Sequence, residues 1–414
     1  THLSDKIPHT VAAWKAPSEM TKDDKKKLKD IIYPNKTLRI LLMNIEALSG
    51  SVGIKYVTQF LHKNRTLLAI DESTTIKTPT ASRTKNAIKI SKLAKIRRIM
   101  TGSPVTKNPL DVYAQLDFLS PNITRQNYWA FKSRYAVMVR RNFGTRSTNL
   151  VVGFQRLPEL NTIIDQYSYR VLKEDCLDLP EKIYTTRTIS LTSEQVKAYE
   201  EMRRFNITEM DGKTMTSLST LAALIRLHQI TCGHVTFDDG DTKEIKSNRM
   251  NELLNVLDEV DGKVIIWANY RFDIKKIQQT LSEKFGSDSV ATYFGDTKDK
   301  DRQDIVEKFQ DKNSSLKYFV GNPSTGGYGL TLTAAHTVVY YSNSYDLEKR
   351  MQSEDRAHRI GQVNKVTYVD IIAEGTVDEK IVRSLRSKID IASEVMGEDV
   401  KNWVIEPIKK RKES

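Results

Sequence analysis

The sequence predicts an α/β protein of two lobes, each organised on a parallel sheet. Short apolar runs alternate with helical segments in both halves of the chain, the pattern of strands buried on both faces and joined by helical crossovers. Chemistry-bearing residues sit where such runs end, and open α/β sheets bind ligands at the carboxyl ends of their strands. With 414 residues and 39% apolar content the chain is long enough for two cores. They are placed at residues 1–175 and 176–414.

Composition narrows the classes. No apolar run approaches the ~20 residues a membrane span needs, and no signal-peptide pattern opens the chain. Cys176 and Cys232 are far apart without a CxxC companion, so neither a zinc site nor a disulfide framework is indicated. An intracellular setting, cytoplasm or nucleoid or nucleus, is the default. The net charge is +13 with a pI near 9.4. Between Phe118 and Pro158 there is no acidic residue, while Arg125, Lys132, Arg134, Arg140, Arg141, Arg146 and Arg156 are interleaved with Tyr128, Trp129, Phe131, Tyr135 and Phe143. That mixture fits nucleic-acid phosphates, with Arg134, Arg140 and Arg141 as candidates. The plainer reading makes the aromatics core and the arginines a solvated face.

In chain order, Thr10–Trp14 reads as a strand, and Thr21 with Asp24 has capping-box spacing before a Lys-rich helix ending near Ile32. Leu38–Met43 is a strand, Val52–His62 a helix, and Thr66–Ile70 a strand ending in Asp71 and Glu72. In a nucleotide site the first acid can hold Mg²⁺ through water and the second can orient the attacking water. Ile96–Met100 ends in Thr101-Gly102-Ser103-Pro104, which is otherwise an ordinary turn. Asn108-Pro109 opens a helix, Pro158–Tyr167 is another, and Val171–Pro180 crosses between lobes. Thr185–Leu191 is strand-like, and Glu194–Phe205 and Ser217–Thr231 are helical.

From Lys263 the rhythm returns: strands Val264–Trp267, Val290–Tyr293, Leu316–Val320, Thr337–Tyr341 and Lys365–Ile372, with helices Asp273–Phe285 and Lys298–Gln310. Gly295, Asp296 and Thr297, placed at a helix start, offer backbone N–H groups to a phosphate, or form a plain cap. Glycines in Gly326–Leu332 permit close backbone approach. Glu348–Gln362 then reads EKRMQSEDRAHRIGQ. As one helix stopped by Gly361, it sets Gln352, Arg356 and Arg359 at i, i+4 and i+7 on a single face. An amide and two guanidiniums on one face suit a polyphosphate. A solvated helix with Glu354 and Asp355 pairing nearby arginines is the alternative.

Together with Gly326-Gly327-Tyr328-Gly329-Leu330-Thr331-Leu332, this stretch resembles motifs V and VI of the Swi/Snf-type branch of superfamily 2 helicase-like ATPases. The Asp71-Glu72 and Thr101-Gly102-Ser103 signatures resemble motifs II and III, in the right order. The resemblance implies two RecA-like lobes with helical protrusions on both, and use of ATP with Mg²⁺. It assigns Arg356 and Arg359 to the γ-phosphate of a nucleotide carried by the other lobe, and Thr101, Gly102 and Ser103 to coupling. Gly327 and Gly329, with Gln352, fall to nucleotide binding. Thr331 faces the nucleic-acid track, while Asn269, beside Trp267 in the motif IV position, joins Gly295 and Thr297 as a nucleic-acid contact.

A phosphate-cradling loop, G-x-x-x-x-G-K-[ST], is absent from this sequence. Gly212-Lys213-Thr214 is rejected as that loop: Ile207 stands where its first glycine belongs and no apolar strand precedes it. By the resemblance the loop precedes Thr1, so the first lobe is expected to lack on the order of 60 residues and this polypeptide to hydrolyse ATP poorly. The leading functional expectation is an ATP-driven double-stranded DNA translocase, and no oligomer is predicted because the sequence gives no basis for one. Alternatives are a non-hydrolysing nucleic-acid or protein-binding module and a strand-separating or RNA-directed helicase. The Lys409–Lys412 run reads as a basic tail.

Overall fold

The computed structural model describes residues 7–33, 35–143, 146–171, 176–210, 213–216, 220–326 and 329–396. These divide into two compact units, residues 7–169 with 391–396, and the remainder from 170 to 390.

The first unit is built from strand–helix–strand repeats. β1 (His9–Ala13) pairs in parallel with β2 (Leu38–Leu42) across the helix Lys22–Ile31. That helix starts where the capping box places it: Thr21 accepts from the Asp24 amide, and the Asp24 carboxylate accepts from the Thr21 amide at 3.0 Å. β3 (Leu67–Ile70) pairs in parallel with β4 (Ile96–Ile99) across the helix Ser82–Ser91. Among the described residues the two pairs are separate sheets, not the one continuous sheet that the strand rhythm suggests.

The basic, aromatic stretch begins as a helix, Tyr128–Tyr135, whose Phe131 and Tyr135 are core. It then turns into an antiparallel ribbon, β5 (Ala136–Phe143) with β6 (Arg146–Phe154). A wholly helical protrusion is therefore not what forms there. Val137, Val139, Val151 and Val152 are β-branched, which favours the pleated conformation over the helix.

The second unit carries one six-stranded, all-parallel sheet. Its strands are β7 (Lys182–Ile189), β12 (Lys263–Trp267), β13 (Val290–Tyr293), β14 (Tyr318–Gly321), β15 (Ala335–Tyr340) and β16 (Val366–Ala373), in the order β13-β14-β12-β15-β16-β7. Alternate residues of β12 feed two cores. Val264 and Ile266 pack with Leu253, Ile274 and Ile277 on one face; Ile265 and Trp267 pack with Phe309, Leu332 and Ala357 on the other. Before β12 lie the helices Ser193–Phe205 and Thr220–Cys232 and two hairpins, β8 (Ile207–Met210) with β9 (Lys213–Thr216) and β10 (His234–Thr236) with β11 (Thr242–Glu244). Lys213 and Thr214 thus lie in a hairpin strand. β8 does precede them, contrary to expectation, but as their antiparallel partner and not as the strand of a phosphate loop.

Candidate nucleotide and nucleic-acid sites

In the first unit, β3 delivers Asp71 and Glu72 to its carboxyl end. Asp71 is exposed and Glu72 half-buried. The chain turns sharply here: Glu72 has φ 49° and ψ 60°, a left-handed conformation that costs a side-chain-bearing residue roughly 1–2 kcal/mol. The turn is over-determined by its neighbours. The Glu72 amide donates to Asp71 Oδ1 at 3.0 Å, the Ser73 amide to the Met100 carbonyl at 3.0 Å, and the buried Ser73 hydroxyl to Gln115 Oε1 at 2.6 Å.

Gln115 was not legible as a site residue, yet its amide joins both signatures. Its Nε2 donates to the Pro104 and Asp111 carbonyls, each at 2.8 Å, so one buried amide ties the turn after Glu72 to the turn after β4. Within that second turn Thr101 Oγ1 accepts from the Ser103 amide at 3.2 Å, and Ser103 Oγ donates to the Val105 carbonyl at 2.8 Å. Gly102 is exposed, with open space where a Cβ would stand.

Asp71 suits an indirectly held Mg²⁺: Oδ1 receives the Glu72 amide while the carboxylate stays open to water. Among the described residues no cluster of three or more His, Cys, Asp or Glu could hold a metal by itself. Any such ion would need ligands from water and phosphate.

In the second unit the expected arginine helix is shorter than the sequence implies. It spans Leu347–Glu354, and Arg356 and Arg359 lie in the turns beyond it. The cause is Arg356 itself. Its Nε donates to the Gln352 carbonyl at 2.8 Å, taking the acceptor that the Arg356 amide would use in a continuing helix, and that amide turns to Ser353 at 3.4 Å. The two guanidiniums nevertheless converge: Arg356 Nη1 and Arg359 Nη1 donate to one carbonyl, that of Leu330, at 3.2 and 3.1 Å. Gly361 has φ +97° and ends the turn. The Gln352 Oε1 is buried without a hydrogen-bond partner among the described residues.

The segment from Asn322 to Ala334 connects the carboxyl end of β14 to the amino end of β15. At its start Asn322 Nδ2 donates to the Asn269 carbonyl at 2.8 Å, and Asn269 Nδ2 donates to the Ser342 carbonyl at 3.1 Å. At its end the Leu332 amide donates to the Arg356 carbonyl at 2.9 Å. Asn322 thus touches the strand-end rim around Asn269, and Leu332 touches the arginine turn. Gly329 has φ +73° and Thr331 is half-buried. Gly327 and Tyr328 lie outside the described residues, as does the basic run at Lys409. Trp267 is fully buried and belongs to the core.

Three nucleic-acid candidates take different roles locally. The Thr297 amide donates to the Phe294 carbonyl at 3.0 Å, and its hydroxyl bonds Thr292 and Phe294, so it closes a turn; the following helix starts only at Asp299. The Thr297 amide is thus not offered to a phosphate. Gly295 makes room for Arg271, whose Nη2 lies 3.3 Å from where a Cβ would stand and pairs with Asp296 at 3.1 Å. Arg134 forks onto Glu159 at 2.6 and 2.8 Å, and Tyr135 donates to the same carboxylate. Its guanidinium is committed within the protein. Arg140 and Arg141 are exposed on the ribbon, with Arg140 Nη2 3.0 Å from Ser147 Oγ.

Two buried ion networks hold the second unit's site. Arg350 bonds Glu354, Asn343 and Asp370, and its guanidinium stacks on Tyr340 at 3.5 Å from the ring centroid. Arg249, fully buried, pairs with Asp378 and donates to the carbonyls of Thr231, Tyr341 and Ile371. Burial alone would raise the Asp378 carboxyl, but Arg249 and His228 outweigh it and hold it below the usual range.

Parallel α/β units bearing an acidic strand exit and an arginine turn are the equipment of a helicase-like ATPase. Comparison with known proteins makes the class specific. The SNF2-related domain matches residues 14–235 and the Helicase conserved C-terminal domain matches residues 246–361. The chain belongs to the SNF2-related family of superfamily 2 helicase-like ATPases. It is 27% identical over 376 residues to "Uncharacterized ATP-dependent helicase MG018" of Mycoplasma genitalium, covering 89% of this chain and 34% of that protein. It is 25% identical over 366 residues to "SWI/SNF chromatin-remodeling complex subunit snf22" of Schizosaccharomyces pombe, covering 82% and 22%. With "SWI/SNF-related matrix-associated actin-dependent regulator of chromatin subfamily A-like protein 1" of Drosophila melanogaster the identity is 28% over 336 residues, covering 79% and 41%. The chain spans less than half the length of each of these curated relatives.

Proposed function

We propose that this chain is part of an ATP-driven motor that steps along double-stranded DNA inside the cell, and that it works with a phosphate-binding loop that is not among these 414 residues. The observation that carries the reading is the convergence of Arg356 and Arg359 on the Leu330 carbonyl, which presents two permanently charged guanidiniums from one turn. Arginines placed that way stabilise charge that develops on a transferring phosphoryl group. Glu72, held in its strained turn, orients the attacking water, and Asp71 holds Mg²⁺ through water; when bound, that ion neutralises charge on the phosphates. Gln352 contributes an unused acceptor beside the arginines. Thr101, Gly102 and Ser103 couple hydrolysis to the nucleic-acid track, which uses Thr331, Asn269 and the ribbon arginines Arg140 and Arg141.

The test uses the protein extended to include the loop. Phosphate release should rise with added duplex DNA, and Glu72→Gln should abolish that rise; unchanged turnover would remove Glu72 from the site. Displacement of a triplex strand without unwinding of a forked duplex is the expected signature of stepping, and the reverse pattern would favour strand separation.

A further inference from the structure

The arginine turn is fastened to the place where the chain enters the second unit. Pro180, Glu181 and Lys182 precede and open β7, directly after the crossing from the first unit. His358, which stands between Arg356 and Arg359, has Nε2 2.7 Å from the Pro180 carbonyl. A carbonyl only accepts, so Nε2 carries the proton and donates. Just before the turn, Lys182 Nζ reaches the fully buried Glu354 at 3.2 Å and Asp355 at 3.7 Å. Just after it, Lys365 Nζ pairs with Glu181 at 2.9 Å and the Val366 amide donates to the Glu181 carbonyl at 3.2 Å. Three consecutive residues of the incoming chain therefore grip the turn before, between and after its two arginines.

From this we infer that His358 is a positioning residue that couples the path of the incoming chain to the pose of both arginines. The inference rests on the proposed role of those arginines but adds a mechanical input to it. His358 is the only contact in the set located between the arginines, so its backbone placement sets the direction of both side chains. A shift of Pro180 moves the donor's anchor, and the turn follows. The turn is braced from its far end as well: Gln362 Nε2 donates to the Thr333, Ala335 and Ala357 carbonyls at 2.9–3.1 Å, so the stretch between the arginines is held on one side by Gln362, through Ala357, and on the other by Pro180, through His358.

Two readouts test this separately from the catalytic reading. On the present chain, hydrogen exchange in His358→Ala should quicken both in residues 355–361 and in residues 176–182, while His358→Gln, which keeps a donor at similar reach, should restore much of the protection in each. Faster exchange in only one of the two segments would overturn the coupling. In the loop-containing protein, His358→Ala should lower kcat for DNA-stimulated hydrolysis by about 10- to 100-fold with KM for ATP within about twofold, the pattern of misplaced transition-state groups, and His358→Gln should recover most of it. Unchanged kcat, or a fall in thermal stability with kinetics intact, would reduce His358 to packing. Should His358→Ala fail to fold, His358→Leu, which fills similar space without a donor, carries the same two measurements against His358→Gln. If the unaltered protein shows no DNA-stimulated hydrolysis, the motor reading fails while the exchange result still decides the coupling.

Discussion

The strands of the two units are similar in sequence and different in fate. In the second unit β12, β14, β15 and β16 are buried almost throughout, with Ile265, Ile266, Val338 and Val339 each at 0% exposure. In the first unit Leu38, Leu42, Leu67 and Ile96, on β2, β3 and β4, keep about half their surface open at 46%, 54%, 54% and 56%. Apolar runs of this kind declare a strand meant for burial on both faces, and in the second unit alone do the described residues supply both layers. The consequence reaches function. The carboxylates of the first unit are held by a few local hydrogen bonds around one strained residue, whereas the arginines of the second sit on a unit built around a continuous six-stranded sheet and buried ion networks.

The largest effect that distinguishes the two belongs to the second unit. Arg249→Ala should cost about 3–5 kcal/mol in chemical unfolding, since it strands Asp378 in the core and takes a donor from three carbonyls; a loss under about 1 kcal/mol would mean that the network is not what holds this unit together. In the first unit Gln115→Leu should cost about 1–3 kcal/mol by leaving the Ser73 hydroxyl and two carbonyl partners unmatched. Combining it with Ser73→Ala should cost less than the sum of the two, because they share one bond; strict additivity would show that the amide does not link the turns.

Acid should separate the units further. Burial depresses the His228 imidazole, an effect that nearby Asp378 offsets only partly and Arg249 reinforces. A group whose folded value is lowered contributes stability above its ordinary value of about 6.5 and loses it as the pH falls through the folded value. The urea midpoint of the second unit's transition should therefore drop between about pH 7.5 and 5.5, and His228→Gln should flatten that slope. An equally steep slope in the variant would place the acid sensitivity elsewhere.

The smallest effect lies on the surface of the first unit. Arg141→Ala should reduce the salt dependence of duplex binding by about one unit of slope. Arg134→Ala should leave the slope unchanged, as its guanidinium serves Glu159, and cost about 1 kcal/mol of stability or less. Equal losses of slope would return Arg134 to the nucleic-acid surface.

Much of this was legible before any coordinates. Strand Val290–Tyr293 is found at its expected limits, and the capping box at Thr21 begins its helix as expected, because local chemistry decides both. What local rules could not reach was tertiary. The helix at Glu348 ends early because the Arg356 side chain captures a carbonyl that periodicity reserves for a backbone amide. The Thr297 amide is taken by Phe294, a turn geometry that a glycine-acid-threonine string does not announce. Gln115 meets Ser73 across 42 positions of sequence, and His358 meets Pro180 across 178; neither pair leaves a trace in spacing. Valine-rich ribbon arms stand in the composition, whereas the expectation of a helical protrusion comes from the family resemblance.

The central claim is that the two arginines serve a triphosphate, and one measurement tests it most directly: DNA-stimulated phosphate release by the loop-containing protein with Arg359→Ala. Arg359 is exposed and its Nη1 donates to a single carbonyl, so folding and duplex binding should persist. Turnover should fall by about 10³-fold or more, the scale of a lost arginine finger. Turnover within about twofold of the parent, less than about 0.5 kcal/mol in the barrier, would contradict the account.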